Sequence, residues 1–135
     1  AYLGGADQSV SSGVATKVQL NTEDFDTASC FDSTTNYRFT ANVAGYYQIS
    51  ASIYCNVTSG TASYQVTHLY KNGSVYKTIY DYISSGSVSV PLNCVVYLNG
   101  STDYLELYGQ ISGTSPYFAR VNNGTYMTGA LVRSA

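Results

Sequence analysis

An all-β chain, a sandwich or barrel of antiparallel strands, is predicted by three features of the sequence. Apolar residues recur at every second position in several runs, Asn-Gly pairs separate those runs, and no segment sustains the 3.6-residue apolar period of a helix. Successive side chains of a strand point to opposite faces, so such alternation marks a strand with one face on a core. Tyr47, Ile49, Ala51, Ile53 and Cys55 form one series, with Gln48, Ser50 and Ser52 opposite. Val88, Val90, Leu92, Cys94, Val96 and Leu98 form a longer one. Pro91 interrupts it and predicts an edge strand or a bulge, because proline lacks the N–H that a ladder needs. Leu105 and Leu107 sit between Tyr104, Glu106 and Tyr108, and Met127, Gly129 and Leu131 alternate with Thr128, Ala130 and Val132. Asn72-Gly73, Asn99-Gly100 and Asn123-Gly124 supply residues that accept the positive φ angles of tight turns. The clearest hairpin runs from Val66–Tyr70 through 71–74 into Val75–Tyr80.

The composition narrows the function classes. A length of 135 residues suits one domain spanning 1–135, with 1–15 as a connection to a stalk or a first strand. Hydrophobic residues make up 44% and charged residues 10%, against about 25% charged in an average soluble protein. A disordered chain has the opposite balance. The surface is therefore expected to be covered by Ser, Thr, Asn, Gly and Tyr. Six basic residues are scattered through a chain of net charge −2, so no basic patch for nucleic acid is expected. No apolar run approaches the roughly 20 residues of a membrane span. The opening Ala1-Tyr2-Leu3-Gly4-Gly5 lacks a signal-peptide pattern and reads as a mature end or an excised fragment. Cys30, Cys55 and Cys94 are an odd set; Cys55 and Cys94 fall in phase with core positions, and both are expected to be buried, reduced thiols.

From Lys17 to Val132 the chain resembles the C1q/TNF-like jelly rolls, most closely their bacterial and phage members. Thr16-Lys17-Val18-Gln19-Leu20-Asn21 is similar to the family's first core strand. Tyr37-Arg38-Phe39-Thr40-Ala41 and Ala44-Gly45-Tyr46-Tyr47-Gln48-Ile49-Ser50 resemble its "F-x-x-P-x-x-G-x-Y-x-h-S" signature, with Asn42 where proline often sits. Leu69-Tyr70-Lys71-Asn72-Gly73 matches an "L-x-K-N-G" hairpin, and Thr125 through Val132 resembles a closing "T-F-x-G-x-L-L" strand. Residues 95–107 follow "V-x-L-x-x-G-D-x-l-x-L", with Asn99-Gly100-Ser101-Thr102-Asp103 longer than the usual Gly-Asp. The resemblance implies a two-sheet antiparallel jelly-roll sandwich, a homotrimer, and a place at the tip of a fibrous stalk. A fold hosts many roles, so it is weaker as a guide to function.

Tyrosine dominates the aromatic content, with 15 residues and no tryptophan. Tyr suits half-buried sheet surfaces, with the ring packed and the hydroxyl wet. With Ser, Gly and Asn it also builds adaptable binding surfaces. Expected ligand contacts are Tyr80, Tyr82, Tyr117 and Asn122, placed in loops, where recognition residues concentrate. Residues 112–117 read as a flexible loop. Tyr104, Glu106, Tyr108 and Gln110 share the non-core side of one strand, either as a solvated face or as a trimer seam; the related jelly rolls favour the seam for Tyr104, Tyr108 and Gln110.

Catalysis has little support. His68 stands alone in a strand, and Asp103 and Glu106 are not oriented on a cleft as a glycosidase pair would be. Glu23, Asp24, Asp26 and Asp32 lack a calcium-loop spacing and read as a solvated loop. Sequons at Asn56, Asn72, Asn99 and Asn123 largely coincide with turns. No cofactor or metal is expected. The function expected is a trimeric head of a phage tail fibre or similar virion appendage, binding a host-cell surface glycan or protein. A secreted C1q-like adhesion or signalling module, and a purely structural trimerisation cap, are the alternatives. The location is virion or extracellular, without nucleic-acid binding or membrane insertion.

Overall fold

The computed structural model describes residues 1–135. Its strands are β1 (Gln8–Ser9), β2 (Thr16–Lys17), β3 (Phe31–Asp32), β4 (Arg38–Thr40), β5 (Ala44–Ser59) and β6 (Tyr64–Lys71), followed by β7 (Ser74–Tyr82), β8 (Ser87–Asn99), β9 (Tyr104–Ile111), β10 (Thr114–Phe118) and β11 (Tyr126–Ser134). A single 3₁₀ turn, Val121–Asn123, lies between β10 and β11. All pairings are antiparallel.

The first sheet is organised on β5, the longest strand. β8 follows one edge of β5 from Asn99 opposite Ala44 to Ser87 opposite Asn56. The other edge is shared, with β11 on its first half and β10 on its second, and β1 lies beyond β10. Thr125 stitches the gap between β10 and β11. Its hydroxyl, wholly buried, accepts from the Tyr54 N–H at 3.0 Å and donates to the Ala119 carbonyl at 2.7 Å. β8 pairs only with β5, so Pro91 occupies an edge strand, as its missing N–H requires.

The second sheet runs β3-β4-β9-β6-β7, with β2 on β9 beyond the end of β4. Asn72 and Gly73, at φ of 53° and 77°, make the tight turn of the β6–β7 hairpin. The sheets face each other across one core. Ile49, Ile53, Leu92 and Leu98 come from the first sheet, and Leu69, Leu105, Leu107 and Ile111 from the second. Gly109 is a point of close approach: a Cβ there would stand 2.7 Å from the Phe118 ring and 2.8 Å from Ile53. Gln65 and Thr67 face the same interior, but each donates across it, to Ile53 at 2.7 Å and Val90 at 2.8 Å. The Thr67 bond offsets the cost of burying its hydroxyl, and the Gln65 bond satisfies the amide N–H while its Oε1 stays buried without a partner.

Several expectations change. Tyr80 and Tyr82 lie in β7 rather than a loop, because the hairpin continues until Tyr82 pairs with Tyr64. Most of 112–117, read as a loop from its Gly, Ser and Pro content, falls in β10 (Thr114–Phe118), since β5 and β1 supply ladder partners. Glu106 points outward but is covered, held by Lys17 Nζ at 2.6 Å. Cys55 is fully buried, and burial pushes its thiol well above the ordinary range, whereas Cys94 is only half-buried. In β11 only Met127 is sealed in; Leu131 is 44% exposed, because the sheets part at that end.

Candidate functional site

The outward sides of the two sheets differ in chemistry. The register places Tyr46, Tyr54, Tyr97, Tyr117 and Tyr126 on the outer side of the first sheet, interspersed with Gln48, Ser50, Asn93 and Val95. Tyr46 and Tyr97 pack at 5.5 Å, and Val95 is 50% exposed. The outward positions of β5, β8 and the regular part of β11 carry no charge; Arg133 follows the irregularity after Leu131.

The second sheet carries the charges and a different set of rings. Lys17, Arg38 and Glu106 lie in register on its outer side, with Tyr64, His68, Tyr70, Tyr104 and Tyr108 among and beside them. Tyr70 and Tyr108 stack at 4.0 Å with 16° between their planes, and His68 meets the Tyr70 edge at 6.0 Å. Burial lowers the His68 pKa from its ordinary value, so the imidazole is neutral at neutral pH. Arg38 lies over the Tyr104 ring at 4.5 Å. Gln110 donates to the Tyr64 hydroxyl at 3.1 Å and to the Gly13 carbonyl at 2.9 Å.

At the edge of this sheet Tyr64, Tyr80 and Tyr82 form a cluster. Tyr64 stacks on Tyr80 at 5.3 Å, and Tyr82 meets Tyr80 at 4.8 Å and 60°. Tyr80 is 46% exposed and Tyr82 is 81% exposed. Desolvation, and then the neighbouring Tyr82 and Tyr64 hydroxyls, raise the Tyr80 phenol above its ordinary value, which keeps it neutral. The result is an aromatic surface in which Tyr80 and Tyr82 project from a half-buried Tyr64 whose hydroxyl accepts from Gln110, suited to stacking and hydrogen bonding with a neutral ligand.

The four expected ligand residues do not share one site. Tyr80 and Tyr82 sit together, Tyr117 is half-buried on β10 opposite Asn56, and Asn122 is exposed in the 3₁₀ turn with φ of 52°. Of the expected seam residues, Tyr104, Tyr108 and Gln110 are each engaged by their own chain through Arg38, Tyr70 and Tyr64. Tyr64 and Tyr70 were not among the expected residues. Their signal was the alternation Tyr64, Val66, His68, Tyr70, which puts both on the outer side of β6. Two acidic residues of the 23–32 segment brace local backbone: Asp32 accepts from the N–H groups of Thr34, Thr35 and Asn36, and Asp26 from those of Ala28 and Phe31.

No family model matches the chain. It is 28% identical over 134 residues to the phage-like element PBSX protein XkdV of Bacillus subtilis strain 168, a match covering 87% of this chain and 18% of that protein. The chain thus spans under a fifth of the curated relative's length. Among solved structures it is similar to rabbit GITRL, with a TM-score of 0.53 and 20% identity over 79% of this chain and 80% of that one. It is also similar to pika GITRL, with a TM-score of 0.51 and 21% identity over 79% and 87%. These neighbours and the two antiparallel sheets establish a TNF-like jelly roll.

Proposed function

We propose that this chain is the homotrimeric receptor-binding head of a phage-type appendage, located on the virion or otherwise extracellular, that recognises a bacterial surface glycan or protein. The observation that carries the reading is the projecting cluster of Tyr64, Tyr80 and Tyr82 at the edge of the second sheet. Rings with few torsions lose little entropy when they contact a ligand, and their hydroxyls add direction. The similarity to part of a phage-like element protein supports the setting, and the TNF-like fold supports a non-enzymatic binding module.

In this reading the trimer seam lies on the uncharged outer side of the first sheet. Both sides carry Tyr, but interface cores are depleted in charged groups, as the first sheet's outer side is and the Lys17–Arg38–Glu106 side is not. A seam there leaves the Tyr64, Tyr80 and Tyr82 cluster of each protomer free. Tyr117 then belongs to the seam side, and Asn122 borders it. The test is sedimentation of labelled protein with envelopes of the strain that the particle infects. Wild type should co-sediment saturably, and Tyr82→Ala should lose about fivefold per site, as expected for one interface tyrosine. A wild type that does not co-sediment would overturn the reading in favour of the structural cap or the secreted module.

A further inference from the structure

Where the sheets part, a pocket of about 230 Å³ opens between them. Its walls are the rings of Phe25, Phe31, Phe39 and Tyr47, with Ile49 and Met127 beneath. The register explains how these side chains meet. Phe31 and Phe39 are directly paired across β3 and β4, Phe39 meets Tyr47 edge-on at 5.5 Å, and Ile49 follows on the same side of β5. Phe25, 73% exposed, belongs to the preceding segment. Apolar cavities of roughly 150 Å³ hold a benzene ring, so this space suffices for a small organic group.

Electrostatics select among such groups. Asp24 and Asp26 line the pocket, and no Lys, Arg or His side chain does. Asp26 is held ionised below the usual carboxylate range: although burial opposes this, the N–H groups of Phe31, Cys30 and Ala28 outweigh it. An anion would be repelled here, and a neutral hydrocarbon would have no use for the carboxylates. A cation without N–H donors can leave water for this site, because aromatic faces attract it and the carboxylates balance its charge.

We infer that this pocket is a binding site for a small organic cation of the quaternary ammonium type, held by the four rings and the carboxylates of Asp24 and Asp26. The site is separate from the tyrosine cluster on the second sheet. Gly129 offers a clean way to close it. Residue 129 lines the pocket, and a Cβ there would meet only the tip of Ile49 at 3.1 Å, with Phe39 at 3.9 Å. Valine at this strand position therefore fills space without backbone strain.

The experiment is amide-resolved NMR titration of the whole 135-residue chain with choline and with 3,3-dimethyl-1-butanol, its neutral isostere. Choline should give saturable shifts confined to the pocket walls, and the neutral alcohol should bind at least about fivefold more weakly. Phe25→Ala, an exposed change that leaves the core intact, should weaken choline by a similar factor. Gly129→Val should abolish binding while keeping the melting temperature within a few degrees. Absence of saturable shifts with choline, equal affinity for the two isosteres, or undiminished binding by a folded Gly129→Val would each overturn the proposal.

Discussion

Val95→Asp is the perturbation that most sharply separates the two sides of the sandwich. Val95 lies opposite Gln48 on the outer side of the first sheet and is half exposed in one protomer. In the monomer the substituted carboxylate stays in water, so the cost is the strand preference of Val over Asp, about 1 kcal/mol. In a trimer sealed through this side, three carboxylates would lose their hydration without gaining a basic partner. At about 3 kcal/mol per buried ion that is roughly 9 kcal/mol per trimer, or roughly six powers of ten in the association constant. Light scattering after gel filtration reads the outcome directly. Wild type should give three times 14.5 kDa and Val95→Asp a folded 14.5 kDa species, with Val95→Thr still trimeric. Tyr108→Ala, which removes a ring stacked on Tyr70 in the same chain, should leave the mass unchanged. A trimeric Val95→Asp, or a monomeric Tyr108→Ala, refutes the placement and returns the seam to Tyr104, Tyr108 and Gln110.

Other expectations concern stability and reactivity. Thr125→Val keeps the volume but strands the Tyr54 N–H and the Ala119 carbonyl; a loss of about 2–4 kcal/mol in urea unfolding is expected, and an unchanged midpoint would count against the stitching role. Asp32 and Asp103 have folded pKa values below their ordinary range, Asp32 through backbone N–H groups and Asp103 chiefly through the Asn72 amide and Lys71. A depressed carboxylate pKa contributes stability that is complete above about pH 4 and is lost as pH falls below it. Thermal melts should therefore drop on acidification through that range, and Asp32→Asn should flatten the drop; a parallel curve for the variant would contradict the assignment. In thiol titration Cys94 should react before Cys55, whose thiol is sealed in the core, and equal native rates would show that the core opens readily.

Much of this architecture was legible because strand alternation is a local signal. The β5 and β8 series marked the core side of each strand, and Pro91 announced an edge or a bulge, of which the edge is found. The hairpin at Asn72-Gly73 was equally local. What stayed hidden depends on partners distant in sequence. Tyr82 becomes part of a strand because Tyr64 lies opposite, and 114–118 becomes one because β5 has an edge free there. Glu106 is hidden from solvent with Lys17 over it, 89 positions away. The uncharged tyrosine side could not be seen until β8, β5 and β11 were known to be neighbours, since each strand alone shows only scattered Tyr among Ser and Asn. The aromatic pocket drew on Phe25, Phe31, Phe39 and Tyr47, which no single periodic run contains.

In the proposed function, the second sheet's tyrosine edge attaches the particle to its target cell. Competition between purified trimer and the intact particle for adsorption tests it most directly. Wild-type trimer should slow adsorption in a dose-dependent way. A Tyr64→Ala, Tyr80→Ala, Tyr82→Ala triple variant of unchanged mass and circular dichroism should need at least a hundredfold more protein, a loss of about fivefold per site compounding across three sites. A folded triple variant that competes as well as wild type would contradict the claim.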